Sequence, residues 1–259
     1  MKLVDQIGHQ LNIKSVPNRI ISTVPSQTEL LFFLGLKNQV VGRTRFCIHP
    51  KSDVKGLKNI GGTKQLKLDV IEKLKPDLII ANKEENDREQ IQYLQSRYPV
   101  YTSDILTIES SLNMIGHIGE LCHVESKAEK LKSEILQGFK SLPKLKASVA
   151  YLIWYKPYMV AANGNFINEV LKKLGLQNVF NNEMRYPEIN IEQLQDSNPE
   201  FIFLSSEPFP FKQKHIDELG RELPDSKIVL VDGEMFSWYG NRMLKAVDYF
   251  DSLISQLKE

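Results

Sequence analysis

The feature that most constrains this chain is a segment that occurs twice. Leu68-Asp69-Val70-Ile71-Glu72-Lys73-Leu74-Lys75-Pro76-Asp77-Leu78-Ile79-Ile80 returns as Ile191-Glu192-Gln193-Leu194-Gln195-Asp196-Ser197-Asn198-Pro199-Glu200-Phe201-Ile202-Phe203, at the constant offset that carries Pro76 onto Pro199. Each copy reads as a short helix opened by an acid, a proline stop and a buried strand. Upstream, Leu34-Gly35-Leu36 is echoed by Leu174-Gly175-Leu176, at a larger offset. The first half therefore carries the longer insert between its two landmarks. Two similar α/β halves joined by a connector is the architecture this duplication predicts.

The two halves share 259 residues, enough for two modest cores. A hydrophobic fraction of 42% and a charged fraction of 25% are those of an ordinary globular protein. A formal net charge of +1 gives no electrostatic reason to expect nucleic acid or an anionic membrane as partner. No apolar run is long enough to cross a bilayer. Met1-Lys2-Leu3-Val4 runs straight into Asp5, Gln6 and Gly8, without the parts of a secretory leader. A removed leader and a leaderless protein both fit. Cys47 and Cys122 make no disulfide framework, and a buried thiol is the simpler expectation for each.

Along the chain, Gly8-His9 predicts a small hairpin turn within residues 1–18, and Arg19 to Val24 the first strand. Ser26 with Glu29 three residues on reads as a capping box for a helix that Gly35 ends. Val40-Val41-Gly42 is a second strand, and Asn82 to Arg97 a polar-faced helix before the strand Val100-Tyr101. This β-α-β-α-β alternation predicts a parallel sheet. From Thr107 to Leu142, apolar residues recur every three or four positions without a proline. The run is one long helix or two broken near His123; fully helical, its roughly 36 residues would span about 54 Å. The second half restarts with a strand at Val149–Trp154, then a helix over 165–174, helix around His215–Leu219, a strand at Ile228–Val231 and a closing helix from Tyr239 to Leu257.

No enzyme constellation is present: no glycine-rich phosphate loop, no Gly-x-Ser-x-Gly and no His-Glu-x-x-His. No catalytic or metal-ligating residue is assigned. Cys47 and His49 sit two apart in a loop, but the other histidines show no partnering spacing, so a buried thiol beside a turn is the plainer reading. Phe46, Trp154, Tyr155, Tyr158, Tyr186, Trp238 and Tyr239 fall in loops or at strand ends, outside the periodic core stripes. Ligands of open α/β sheets bind beyond the carboxyl ends of the strands, where such rings suit a large planar guest. Plugs for the ends of the core are the competing explanation. Pro25-Ser26 begins a helix after the first strand, and so offers either free N–H groups to a ligand or a simple cap. Asp69 and Glu192 open the helices of the two repeat copies. The helix dipole explains each acid alone; as a matched pair they also suit docking to basic residues of a two-fold partner.

Arg19-Ile20-Ile21-Ser22-Thr23-Val24-Pro25-Ser26-Gln27-Thr28-Glu29-Leu30-Leu31, Leu34-Gly35-Leu36, Lys75-Pro76-Asp77-Leu78-Ile79-Ile80 and the stretch from Phe166 to Val179 resemble the substrate-binding proteins of vitamin B12 and iron–siderophore ABC importers. The resemblance covers nearly the whole chain. It implies an α/β fold of two Rossmann-like lobes with mostly parallel sheets, bridged by a single long α-helix. The expected parts are an N-terminal lobe over 1–105, a backbone helix over 106–143 and a C-terminal lobe over 144–259. It further implies a non-enzymatic receptor that holds cobalamin or an iron complex (siderophore or haem) in the cleft between its lobes, with no covalent cofactor. The ligand-lining set expected is Pro25, Ser26, Arg45, Phe46, Thr63, Trp154, Tyr155, Tyr186, Trp238 and Tyr239. Asp69 and Glu192 match the lobe-tip acids that contact arginines on the permease. B12-binding members carry an aromatic at the position of Thr63 and another at that of Tyr186; only the second is kept. A monomer in the periplasm or at the cell surface is the implied setting if a leader has been removed. A cytoplasmic protein of the same fold, with a cofactor or partner unrelated to transport, is the alternative.

Overall fold

The computed structural model describes all residues, 1–259. The chain divides into two compact units, each with its own sheet. The first comprises Met1–Ile105, Glu109–Leu136 and Tyr239–Arg242, and the second Leu106–Ile108, Gln137–Trp238 and Met243–Glu259.

The first unit opens with the predicted hairpin, β1 (Lys2–Val4) and β2 (Gln10–Asn12), antiparallel. Its turn is tied by Asp5, whose Oδ1 accepts from the N–H groups of Ile7 and His9 and whose Oδ2 accepts from that of Thr102. Next come β3 (Ile20–Ser22), α1 (Pro25–Phe33), β4 (Val40–Arg43), β5 (Lys58–Asn59), α2 (Leu68–Leu74), β6 (Leu78–Asn82), α3 (Arg88–Gln95) and β7 (Val100–Ser103). The five strands form a wholly parallel sheet in the order β5-β4-β3-β6-β7. Chain order reverses at β3, so its carboxyl end is the switch point of the sheet. β3 and β6 are buried at every position, as central parallel strands covered on both faces must be.

Two sequence expectations are corrected here. Ser26 is not the cap of α1: Val24, in extended conformation, is the N-cap, and Pro25 takes the first helical position, where its missing N–H costs nothing. Glu29 therefore makes no capping box. It accepts two hydrogen bonds from the guanidinium of Arg242 (2.8 and 3.0 Å), both side chains being almost fully buried. The helix expected from Asn82 is also shorter. Asn82 still belongs to β6, its Oδ1 accepts from the N–H groups of Glu84 and Glu85 in a turn, and α3 begins only after the Asp87 cap.

The long periodic run forms two helices, α4 (Ile108–Leu121) and α5 (Glu125–Ser141), broken where the sequence suggested, with His123 in the left-handed region at φ 55°. They fold back on each other: a Cβ added at Gly119 would lie 2.5 Å from that of Ala128, and one at Gly116 would lie 3.3 Å from Lys132 Nζ. A 36-residue strut is thus replaced by a helical hairpin. Glycine at 119 lets the two backbones approach, and at the far end of α5 Phe139 of the apolar stripe meets the ring of Phe250 edge-on at 6.4 Å. Of the two, α5 carries the chain from the first unit into the second, the boundary falling between Leu136 and Gln137.

The second unit contains β8 (Ser148–Trp154), β9 (Tyr158–Val160), α6 (Phe166–Lys173), β10 (Gln177–Asn178), β11 (Glu188–Ile189), α7 (Ile191–Ser197), β12 (Phe201–Ser205), α8 (Gln213–Glu222), β13 (Lys227–Val231), α9 (Gly233–Ser237) and α10 (Arg242–Leu257). β10, β8, β12 and β13 are parallel; β9 and β11 add an antiparallel edge. This parallel core repeats β4-β3-β6-β7, with β8 standing where β3 stands.

The duplication is structural down to single residues. α2 and α7 begin and end at positions related by the same offset, each closes on a left-handed residue (Lys75, φ 46°; Asn198, φ 39°), and β6 and β12 follow in register. Asp77 accepts from the N–H groups of Asn18 and Arg19 at the start of β3, and its counterpart Glu200 accepts from the N–H of Ser148 at the start of β8. The upstream echo is a helix stop. Gly35 (φ 87°) and Gly175 (φ 79°) follow the C-caps, and the N–H groups of Leu36 and Leu176 reach back to Leu31 and Leu171. These are Schellman closures, whose positive φ favours glycine.

The buried Glu29–Arg242 pair ties the segment 239–242 to α1. Replacing Arg242 by Met should cost about 3–5 kcal/mol, because a desolvated carboxylate is left without its partner. Replacing Glu29 by Leu as well should recover much of that loss. Urea denaturation of the two variants checks both outcomes.

Candidate functional site

In the first unit, the expected residues lie at the carboxyl end of the parallel sheet. Its floor is a buried polar network. The Thr23 hydroxyl donates to Asn86 Oδ1 (2.7 Å), which also accepts from the N–H of Asn82, and Asn86 Nδ2 donates to the carbonyl of Thr63 (3.0 Å). Asn82 and Gln27 both donate to the hydroxyl of Ser103. This network joins the ends of β3, β6 and β7 and fixes the loop that carries Thr63. Ser26 is buried on the first turn of α1, and Tyr239 is buried near the hydroxyls of Ser26 and Ser103. Burial pushes the Tyr239 phenol well above its usual range.

Arg45 and Phe46 stand outside this floor. Thr44 buries its side chain, while the next two are exposed, and the Arg45 guanidinium lies 4.8 Å from the centroid of the Phe46 ring. Gly61 (φ 106°) and Gly62 bring the neighbouring loop against this pair; a Cβ at Gly62 would sit 3.5 Å from Phe46. A stacked cation and ring, 47% exposed at Phe46, is a flat amphipathic surface. Cys47, next in sequence, is fully buried between Thr28 and Thr44, and burial raises its thiol pKa, so it is held as the thiol. Cys122 is likewise buried, its thiol pushed up to about 12, and neither cysteine is paired. The Cys47 side chain is closed to solvent, in line with the buried thiol expected beside this turn. No group of three or more His, Cys, Asp or Glu side chains converges to hold a metal ion.

In the second unit, β8 ends on Trp154, which is 40% exposed and meets Phe209 edge-on at 5.7 Å. Tyr155 shares Phe209 with it and joins a cluster with Tyr158, Phe211 and His215, and its hydroxyl donates to Glu218. Trp238 is buried, its indole N–H donating to Glu207 Oε1 (2.9 Å), which also accepts from the Ser237 hydroxyl (2.7 Å). Tyr186 is half-buried in a loop shaped by Arg185, whose guanidinium donates to the carbonyl of Gly164. The structure thus brings Trp238 onto Glu207, pairs Trp154 with Phe209 and diverts Tyr155 to α8. Glu207 was not among the expected residues. The repeat offset pointed to it, since it corresponds to Glu84 in the turn after β6.

Asp69 and Glu192 occupy the first turns of α2 and α7, at matched positions, and both are exposed. Asp69 has only Lys73 nearby, at 3.9 Å, on its own helix. Glu192 borders a shallow groove with Lys156, Tyr158, Ile189 and Glu222.

Comparison with known proteins now decides the family. The periplasmic binding protein family matches residues 20–222. The chain belongs to that family. A vitamin B12-binding protein of Vibrio parahaemolyticus is 29% identical over 194 residues, covering 72% of this chain and 70% of that relative. Among solved structures, the periplasmic vitamin B12-binding protein of Vibrio cholerae superposes with a TM-score of 0.76 at 23% identity, covering 94% of this chain and 98% of the other. The periplasmic haem-binding protein of the same species gives 0.77 at 21% identity, with coverages of 91% and 98%. At those identities the structures establish the shared two-lobed α/β fold, and the resemblance read from the sequence is borne out. No helix of this binding protein is long and apolar enough to cross a membrane.

Burial raises the Glu207 carboxyl above its ordinary range, against the lowering effect of the Ser237 and Trp238 donors. The folded state therefore holds a proton there more tightly than the unfolded chain does. Its contribution to stability is greatest below the ordinary carboxylate pKa and is lost as pH rises through the elevated value. Glu207→Gln should remove this dependence, so that wild type gains stability relative to the variant between pH 7 and pH 5. Denaturation at the two pH values, with Trp238 fluorescence as a local reporter, tests the sign.

Proposed function

We propose that this chain is the substrate-binding component of an ABC importer, a non-enzymatic receptor for a corrinoid or for an iron chelate such as haem or a siderophore. The observation that carries this reading is the pair of exposed rings at the carboxyl ends of the two parallel sheets. Phe46 lies under its guanidinium and Trp154 is braced edge-on by Phe209. Rings held this way offer stacking faces to a flat macrocycle with little rotamer entropy left to lose. Arg45 adds a cation suited to propionate or hydroxamate oxygens at the edge of such a ligand. In this reading Ser26, Thr63 and Tyr186 are further contacts for the ligand, with Pro25 setting the start of α1 and Tyr155, Trp238 and Tyr239 each supporting the strand-end residues of its own unit. Relatives named for vitamin B12 and structural neighbours named for haem support the ligand class. Threonine at position 63 favours a guest that does not need a third ring there.

In this reading Asp69 and Glu192 dock the loaded receptor to arginines of a permease, and the protein works as a monomer outside the cytoplasmic membrane. Their exposure and matched placement on the repeat helices support the role.

Absorption spectra of the protein re-isolated after incubation with cyanocobalamin, haemin and a ferric siderophore test the ligand class. One of the three should remain bound, and Phe46→Ala or Trp154→Ala should weaken it about tenfold each. Retention of none of them, or unchanged binding in both variants, would sink the proposal. The double variant Asp69→Lys, Glu192→Lys should keep ligand affinity but lose stimulation of the transporter ATPase. Undiminished stimulation would rule out the docking role.

A further inference from the structure

The loop that follows β12 holds a carboxylate of which the fold uses one oxygen. Glu207 comes two residues after β12 ends at Ser205. Two residues further on, Phe209 meets Trp154 edge-on and donates its N–H to the carbonyl of Ile153. The loop thus lies along the carboxyl end of β8, beside the exposed ring assigned above to the ligand. Glycine at 233 makes room for the Glu207 side chain against α9, since a Cβ there would come within 2.6 Å of its Cγ. Both groups that donate to the carboxylate, the Ser237 hydroxyl (2.7 Å) and the Trp238 indole N–H (2.9 Å), bond to the same oxygen, Oε1. The backbone N–H and carbonyl of Glu207 are engaged by Ser205. Oε2 has no partner in the protein, and it is open to solvent rather than sealed in.

A neutral amide would serve the structural task. One carbonyl oxygen can accept from two donors, so a glutamine at 207 would satisfy Trp238 and Ser237 without a charge. The carboxylate is instead kept where desolvation raises its pKa, with Glu234 and Asp232 near enough to raise it further. A partly desolvated charge is costly, and such groups gather at functional sites. Here one oxygen is locked by two donors and the lock sets the direction of the other. The free oxygen is therefore a fixed acceptor, and little side-chain freedom is lost when a donor reaches it.

We propose that Glu207 Oε2 is a specificity contact for the imported ligand and takes an N–H donor from its rim, so that the second unit selects a macrocycle edged with carboxamides over one edged with carboxylates. The inference rests on the receptor reading above and on Trp154 as a stacking ring. A carboxamide N–H meets the ionised oxygen in a charge-assisted hydrogen bond. A propionate at the same place would set two like charges together at a partly desolvated edge. The contact thereby separates the two macrocycles named above, a corrinoid rimmed by amides and a haem edged by propionates.

The test measures binding of dicyanocobinamide and dicyanocobyrinic acid, which share the corrin ring but carry carboxamides or carboxylates at its rim, and of haemin. Wild type should hold the cobinamide about tenfold or more tighter than either of the others. Glu207→Gln keeps an acceptor for Trp238 and Ser237 but places an amide N–H where Oε2 was. It should weaken the cobinamide about tenfold and narrow its margin over the acid. Ser237→Ala keeps the charge but loosens Oε1, and should narrow the margin less; should Glu207→Gln fail to fold, an undiminished margin in Ser237→Ala would overturn the proposal. An unchanged margin in folded Glu207→Gln would overturn it, as would haemin or a ferric siderophore binding wild type in preference to the cobinamide; either result leaves the receptor reading standing. Binding of no corrinoid, haemin or ferric siderophore would remove both.

Discussion

The structure depends on parallel pairing at the centre of each sheet. β3 lies against β6, and β8 against β12, with nearly every position of these strands buried. Parallel neighbours cannot be joined by a tight turn, so each pair needs a crossover helix, and all strand ends that could meet a ligand fall on one edge of the sheet. A buried strand also needs a defined starting register, and a carboxylate supplies it in both units. Asp77 takes the two N–H groups just before β3, those of Asn18 and Arg19, and Glu200 takes the first of β8. The same residue in each repeat thus closes the helix–proline–strand unit and anchors the strand beside it.

The strand-end edges carry different side chains, although the scaffold beneath them is repeated. In the first unit the edge is a hydrogen-bonded network of Thr23, Asn82, Asn86 and Ser103 under an exposed Arg45–Phe46 stack. In the second it is aromatic and acidic, with Trp154 on Phe209 and Trp238 on Glu207. The acids Asp69 and Glu192 stayed alike, in the first turns of α2 and α7, where the strand-end edges did not.

Much of the scaffold was legible in the sequence because it is locally encoded. The offset joining Pro76 to Pro199 reproduces the bounds of α2 with α7 and of β6 with β12, and Leu-Gly-Leu marks a Schellman closure twice. Capping, proline stops and glycine at positive φ act over a few residues, so spacing alone can carry them. The candidate site was less legible. That Phe46 and Trp154 are exposed, that Trp238 is buried and that Tyr155 turns into α8 depends on neighbours far away in sequence. Composition cannot separate a ring that faces solvent from one that plugs a core.

The sequence by itself determined two α/β halves, their repeat boundaries, the break near His123 and the kinship to binding proteins, since these rest on local patterns and a fixed offset. Only the tertiary structure decided that Glu29 serves Arg242 rather than a helix cap, that Gly119 lets α4 and α5 fold back on each other, and that Tyr155 joins the ring cluster beside α8. Each of these follows from which distant group fills the space beside a side chain. Hydrophobic period and cap chemistry are blind to that, because burial and pairing free energies are set by contacts the chain makes only once it has closed on itself.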